Sequence, residues 1–287
     1  MWEPIGYRNE SDDPVSSSRI DRYDPVAFRL TPMRDTLDAL AAGEISVAEA
    51  ESRLAGYATT TAGRFDAARE RRRGIPEAIL AAGKTPAEVA ALTMTAVETT
   101  GRALVTRVGS DGVTAIREAT EGDATDATVE HDERTRTIVV HAADFDPPSF
   151  DATVAVVAAG TADAAVAGEA AITAGEIGAT IDRVDDVGVA NLDRIIDQRD
   201  RLREADVVVV AAGREGALPT VVAGLVAAPV IALPVSTGYG VGGEGVAALQ
   251  GALQSCSVLT TVNVDAGFVA GAQAGLIARA LDAARDG

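Results

Sequence analysis

Residues 206–240 read DVVVVAAGREGALPTVVAGLVAAPVIALPVSTGYG. Two apolar, β-branched runs lie in it, 206–212 and 229–235, and each gives way at once to glycine and polar residues. A strand with one wet face alternates apolar and polar side chains. An unbroken apolar run suits a strand covered on both faces, the usual state in a parallel sheet. Working outward, 153–159, 180–184 and 260–264 read as further strands of the same kind. Between the first two, Val166, Ala170, Ala174 and Ile177 fall on one face of a helix. Strands alternating with helices predict an α/β domain in three layers around a parallel sheet. In such sheets ligands bind at the carboxyl ends of the strands.

The composition changes after Asp146-Pro147-Pro148, which sets the boundaries expected here: a flavodoxin-type α/β domain over 149–287, a smaller α+β region over 29–148, and an acidic extension over 1–28. In the middle region, Thr31-Pro32 reads as a helix start, with Leu37, Leu40 and Ala41 on one face and Gly43 as the stop. Ser46 with Glu49 forms a capping-box pattern for a second helix. A third is expected over 85–99, and strands over 103–108 and 137–141 with a polar, acidic stretch between them. Residues 64–77 hold Arg64, Arg69, Arg71, Arg72 and Arg73, which either present an anion-binding face or pair with neighbouring acids.

The chain has 287 residues, with 43 acidic against 25 basic and a net charge of −18; Lys84 is the sole lysine. Such a surface repels phosphodiester backbones and anionic lipid, so nucleic-acid and membrane partners are not expected. It suits a salt-rich cytoplasm, where ions screen the self-repulsion, and thus a halophile. The N-terminal MWEPIGYRNESDDP lacks the basic and apolar segments of a signal peptide, and no apolar stretch approaches the ~20 residues of a membrane span, so a cytoplasmic protein is expected. One cysteine, Cys256, allows no internal disulfide, and with only His131 and His141 a zinc cage is not expected.

The chemistry collects in the loops after the strands. They carry Gly160-Thr161-Ala162-Asp163, then Gly213-Arg214-Glu215-Gly216, then Ser236-Thr237-Gly238-Tyr239-Gly240, and finally Asp265-Ala266-Gly267. Glycine lets backbone amides approach a phosphate or a flat ring closely. Gly238, Gly240 and Gly243 match a dinucleotide fingerprint, but they follow the fourth strand, and too little chain remains for the strand-helix-strand unit that the fingerprint needs. Asp163 either caps the next helix or works in the site. Glu215, between glycines directly after a hydrophobic strand, points to a functional carboxylate. Cys256 follows a helix with Val246, Leu249 and Leu253 on its apolar side and is either a small buried hydrophobe or a soft nucleophile.

Several blocks, in order, resemble the LarB family, whose C-terminal domain is similar to the purine-pathway carboxylase PurE. They are RFDAARERRRGIPEAILAAGKT (64–85), GRALVTRV (101–108), AGTADAAVAGEAAITAGEIG (159–178), DDVGVANLDR (185–194), AAGREGALPTVVAGLVAAPVIALPVSTGYG (211–240) and LQSCSVLTTVNVDAGFVAG (253–271). The resemblance implies carboxylation at C5 of the pyridinium ring of nicotinic acid adenine dinucleotide with CO2 or bicarbonate as co-substrate, and hydrolysis of the phosphoanhydride. This is the first step toward a nickel-pincer nucleotide. It also implies Mg²⁺, no tightly bound organic cofactor, and a dimer-based homo-oligomer reaching an octamer. Cys256 matches the family's cysteine that can form a ring adduct, and Asp163 and Glu215 match its acidic positions. The implied binding residues are Gly160, Thr161, Gly213, Gly216, Ser236, Thr237, Gly238, Tyr239, Gly240 and Asp265. Ala162 replaces an expected serine, Arg214 a methionine, and Asn191 and Asp193 a glycine and a histidine. A PurE-type carboxylase acting on an aminoimidazole ribonucleotide is the alternative, but its loop histidine has no counterpart after His141. A nucleotide-sensing module on the same fold would leave the acids and the thiol dispensable.

The net charge yields a first prediction. Thermal stability should rise as KCl goes from low to molar concentration, because screening relieves the repulsion. A melting temperature that stays level or falls over that range would remove the halophilic reading.

Overall fold

The run Val207–Ala212 is the middle strand of a five-stranded sheet, and its residues are buried on both sides. A computed structural model describes residues 33–60, 62–122 and 126–285; the 1–28 extension and the Thr31-Pro32 helix start lie outside them. The first part of the chain forms α1 (Met33–Ala41), α2 (Val47–Ala55), β1 (Ala58–Thr60), β2 (Gly63–Phe65), α3 (Arg69–Arg73), β3 (Ala78–Leu80), α4 (Pro86–Thr100), β4 (Arg102–Thr106), α5 (Ser110–Gly122), β5 (Thr128–Asp132) and β6 (Thr137–His141). The second part forms β7 (Thr153–Ala158), α6 (Ala164–Ile177), β8 (Thr180–Val184), α7 (Asp193–Ile196), α8 (Arg199–Arg203), β9 (Val207–Ala212), α9 (Ala217–Ala223), β10 (Val230–Pro234), α10 (Val246–Leu253), β11 (Thr260–Thr261) and α11 (Gly267–Arg285).

The larger sheet has the order β11-β10-β9-β7-β8 with every pair parallel, which is the flavodoxin-type order. Alternate residues of β9 serve opposite cores. Val207, Val209 and Ala211 pack with Ala167, Ala170 and Ala174 of α6 and Ala270, Ala274 and Ala278 of α11. Val208, Val210 and Ala212 pack with Ile195, Leu202, Leu218 and Val222 on the other side. The period of two in a strand thus makes one apolar run serve both outer layers. Helices α6 and α11 pack with almost no space between them: a Cβ added at Gly271 would lie 2.2 Å from the Ala170 carbonyl oxygen.

The smaller sheet has the order β3-β4-β6-β5, parallel between β3 and β4 and antiparallel elsewhere. Helices α4 and α5 pack on it through Val89, Leu92, Ala96, Val97 and Ile116. Thr85 caps α4, with Glu88 completing the reciprocal box and Pro86 in the first turn. Ser46 caps α2 by accepting from the Glu49 amide, while the Glu49 carboxylate pairs with Arg53. The stretch read as merely polar contains α5 and β5. In β5 only alternate residues are half-buried, as on an edge strand. In the basic segment Arg72 pairs with Asp66, Arg69 with Glu77, and Arg64 lies over the Tyr57 ring at 5.1 Å, so these arginines are engaged locally.

Arg102 of β4 ties the smaller sheet to α6. Its side chain is 1% exposed and pairs with Glu70 at 2.6 Å and with Glu176 of α6 at 3.2 Å. His141 Nε2 reaches the same Glu176 carboxylate at 3.0 Å. A buried cation is tolerated only when paired in this way. Among the described residues no helix is long and apolar enough to cross a membrane.

The close approach of α6 and α11 can be tested directly. Gly271→Val should lower unfolding stability by about 1–3 kcal/mol or more through overpacking. Gly109→Ala, where an added Cβ meets nothing within 4 Å, should leave it nearly unchanged. Equal denaturant midpoints for the two variants would contradict this packing.

Candidate functional site

The loops after β7, β8, β9 and β10 enclose a cavity of about 580 Å³, within the usual size range of small-molecule sites. Its lining includes Gly160, Thr161 and Asp163 after β7, Asp186 and Arg194 after β8, Gly213, Arg214 and Glu215 after β9, and Thr237 after β10. It lies where the strand order reverses, between β7 and β9, the position at which open α/β sheets receive ligands.

Asp163 organises this edge. It is 6% exposed. One carboxylate oxygen accepts from the Gly160 amide at 2.9 Å, and the other accepts from the Thr237 hydroxyl at 2.6 Å. Its side chain makes no capping bond to α6, so the capping alternative does not hold here. An ionised carboxylate is an acceptor only, and two donors aimed at it offset part of its desolvation. The loops after β7 and β10 are thereby tied together across the loop after β9. That middle loop fits because Gly213 has no side chain: a Cβ there would lie 1.9 Å from Thr237 Oγ1. The Arg214 amide donates to the Thr237 carbonyl at 2.8 Å, Glu215 is exposed at the cavity rim, and Gly216 leads into α9.

The remaining residues named from the sequence fall elsewhere. Asp265 directs its carboxylate to the Ser236 amide at 2.9 Å and so braces the loop rather than lining the cavity. Ser236, Gly238, Tyr239 and Gly240 lie beyond the lining, and Tyr239 is 79% exposed. The Arg214 guanidinium stacks on the Tyr239 ring at 4.4 Å, and hydrogen bonding with that guanidinium holds the phenol below its ordinary range. Cys256 is exposed and does not line the cavity. It follows the end of α10 and precedes β11, whose Thr260 pairs with Ile231 near the start of β10. Its neighbours Ser255 and Ser257 hydrogen-bond with Thr220 of α9, and Cys256 does not share the cavity lining with Asp163 and Glu215. Helix α10 buries Ala248 and Ala252, whereas Val246 and Leu253, read above as its apolar side, are exposed.

Two contributors were not singled out from the sequence. Arg194 donates to the Asp186 carbonyl at 3.0 Å, its carboxylate at 3.1 Å and the Gly188 carbonyl at 3.2 Å, which shapes the loop after β8. Both residues fall in the DDVGVANLDR block, so the signal was a lone acid and arginine at a strand end. The other is Glu169 on α6, whose side chain is 5% exposed and stands 3.6 Å from Arg107 Nε.

Residues 57–142 match the family described as the LarB/PurE-like N-terminal domain. An uncharacterised protein of Methanocaldococcus jannaschii is 34% identical over 253 residues, covering 86% of this chain and 97% of that protein. The chain belongs to the LarB/PurE-like family. Its matched segment runs from β1 to β6, and family membership places it with carboxylase-type enzymes.

Burial raises the Glu169 carboxyl above its ordinary value of 4.5, with Arg107 acting in the opposite direction. A carboxyl raised on folding contributes stability that is full below the unfolded value and is lost as pH rises through the folded one. In this LarB/PurE-like chain, Glu169→Gln should flatten the fall in stability as pH rises from 4.5 toward neutrality. Parallel pH–stability curves for the two proteins would contradict this.

Proposed function

We propose that this chain carboxylates C5 of the pyridinium ring of nicotinic acid adenine dinucleotide and hydrolyses its phosphoanhydride, releasing pyridinium-3,5-biscarboxylic acid mononucleotide and AMP. The observation that carries the reading is the carboxyl-edge cavity, whose lining sets Asp163 and Glu215 among glycine-rich loops in a LarB/PurE-like chain. The glycines of those loops let main chain approach a phosphate closely, and Asp163 fixes the loops that would flank it. Glu215, at the rim, takes the C5 proton.

A pyridinium ring is too electron-poor to attack CO2. A thiolate that adds to a ring carbon forms a C–S bond and sends a ring electron pair onto nitrogen, which makes C5 enamine-like. C5 then bonds to CO2, its proton leaves to the base, and the thiolate departs as the pyridinium is restored. Cys256 supplies that thiol. Because it lies outside its own chain's cavity, we assign it to the cavity of a second copy. The exposed apolar residues Leu253 and Val258, on either side of Cys256 in the chain, suit such an assembly. Water completes the second reaction by attacking the phosphoanhydride. Mg²⁺, when bound with the substrate, would supply charge neutralisation for the phosphoanhydride cleavage, with Glu215 and Asp186 the exposed carboxylates of the lining near which it would sit.

The test incubates the protein with the dinucleotide, isotope-labelled bicarbonate and Mg²⁺ and reads products by mass spectrometry. Label in the pyridine mononucleotide is expected, with turnover reduced about 10²-fold or more in Glu215→Gln. Asp163→Asn and Cys256→Ser should each be inactive alone and regain activity when mixed. No labelled product from the wild type, or label entering an aminoimidazole ribonucleotide instead, would overturn the reading; failure of the mixture to recover would overturn the shared site.

A further inference from the structure

Two arginines of the smaller sheet reach across to the loops that build the cavity, and each donates to a main-chain carbonyl. Arg107, directly after β4, donates to the Asp265 carbonyl at 2.5 Å. Arg134, in the turn between β5 and β6, donates to the Thr161 carbonyl at 2.5 Å. Both acceptors stand one step from the Asp163 clasp. Thr161 lies between Gly160 and Asp163, and Asp265 holds the Ser236 amide next to Thr237, whose hydroxyl bonds Asp163.

The Arg107 turn is itself held. Its backbone adopts φ 58°, uncommon for a side chain of this size, and its carbonyl accepts from Arg136 Nη2 at 3.1 Å. Arg136 Nε donates to the Val108 carbonyl at 3.1 Å, and the Val108 amide donates to the Arg136 carbonyl at 2.9 Å. Arg107 Nε also faces the buried Glu169 carboxylate of α6 at 3.6 Å. A guanidinium carries several donors in a fixed fork, so one side chain can grip a carbonyl and a carboxylate together.

We infer that Arg107 and Arg134 are positioning residues through which the smaller sheet sets the geometry of the cavity. Arg107 acts on the β10 and β11 loops through Asp265, and Arg134 acts on the β7 loop through Thr161. Neither lines the cavity. Charge-assisted bonds to a loop carbonyl restrict that loop while leaving the ligand face open. In the terms of the carboxylase reading, on which only the kinetic arm below rests, the smaller sheet is a clamp on the catalytic edge.

Hydrogen exchange followed by mass spectrometry on the full-length chain separates the two grips. Arg107→Gln should speed exchange about tenfold in segments 234–240 and 263–268 and leave 159–164 near wild type, the scale expected for losing one charge-assisted hydrogen bond. Arg134→Gln should do the reverse. Arg107→Lys should restore part of the protection, since lysine keeps a cation but not the fork. In the product assay each Gln variant should lower kcat with KM nearly unchanged. If the wild type makes no product, the functional reading fails while the exchange data still decide the clamp. Unchanged exchange in both loops, or a uniform rise throughout the chain, would overturn the inference.

Discussion

A buried carboxylate, Asp163, shared between the Gly160 amide and the Thr237 hydroxyl, holds the carboxyl edge of this molecule together. The sheet alone would bring four loops to one edge without fixing their mutual position. The carboxylate does so because, once buried, it must keep its donors: losing one would leave a charge uncompensated, at a cost of about 1–3 kcal/mol or more. That requirement draws the loop after β10 over the loop after β9, leaves no space for a side chain at Gly213, and keeps Glu215 at the rim. Asp265 and Arg194 perform the same service for the loops on either side. The cavity is the space that these bonds leave between the loops.

The layered sheet was legible because its strands carry their own explanation. Val207 to Val210 are apolar at every position and buried at every position, and β8 begins and ends where its pattern does. Helix α4 was legible from Thr85, Pro86 and Glu88, which act locally. Elements with weak local patterns were missed. Helix α5 is polar over much of its length, and β5 offers only Val129 and His131 on its half-buried side. Both owe their state to neighbours that local sequence does not name.

For the site, the residues closest to the strand ends line the cavity, and those further along the loops do not. Asp163, Gly213, Glu215 and Thr237 line the cavity, whereas Tyr239 and Gly240 run on into solvent. Cys256, between α10 and β11, is exposed and lies outside the lining of its own chain's cavity, and for that reason self-association becomes part of the chemical proposal. The smaller sheet has a comparable standing: Arg102 fastens it to α6, and Arg107 and Arg134 extend from it to the cavity loops.

Ala162 is exposed and lines the cavity. Replacing it with tryptophan fills that space while leaving the Asp163 bonds in place. Calorimetric titration of nicotinic acid adenine dinucleotide should show one site per chain in the wild type and none in Ala162→Trp, with equal melting temperatures for the two proteins. Wild-type affinity in the blocked variant would place the dinucleotide elsewhere and contradict the assignment of this cavity.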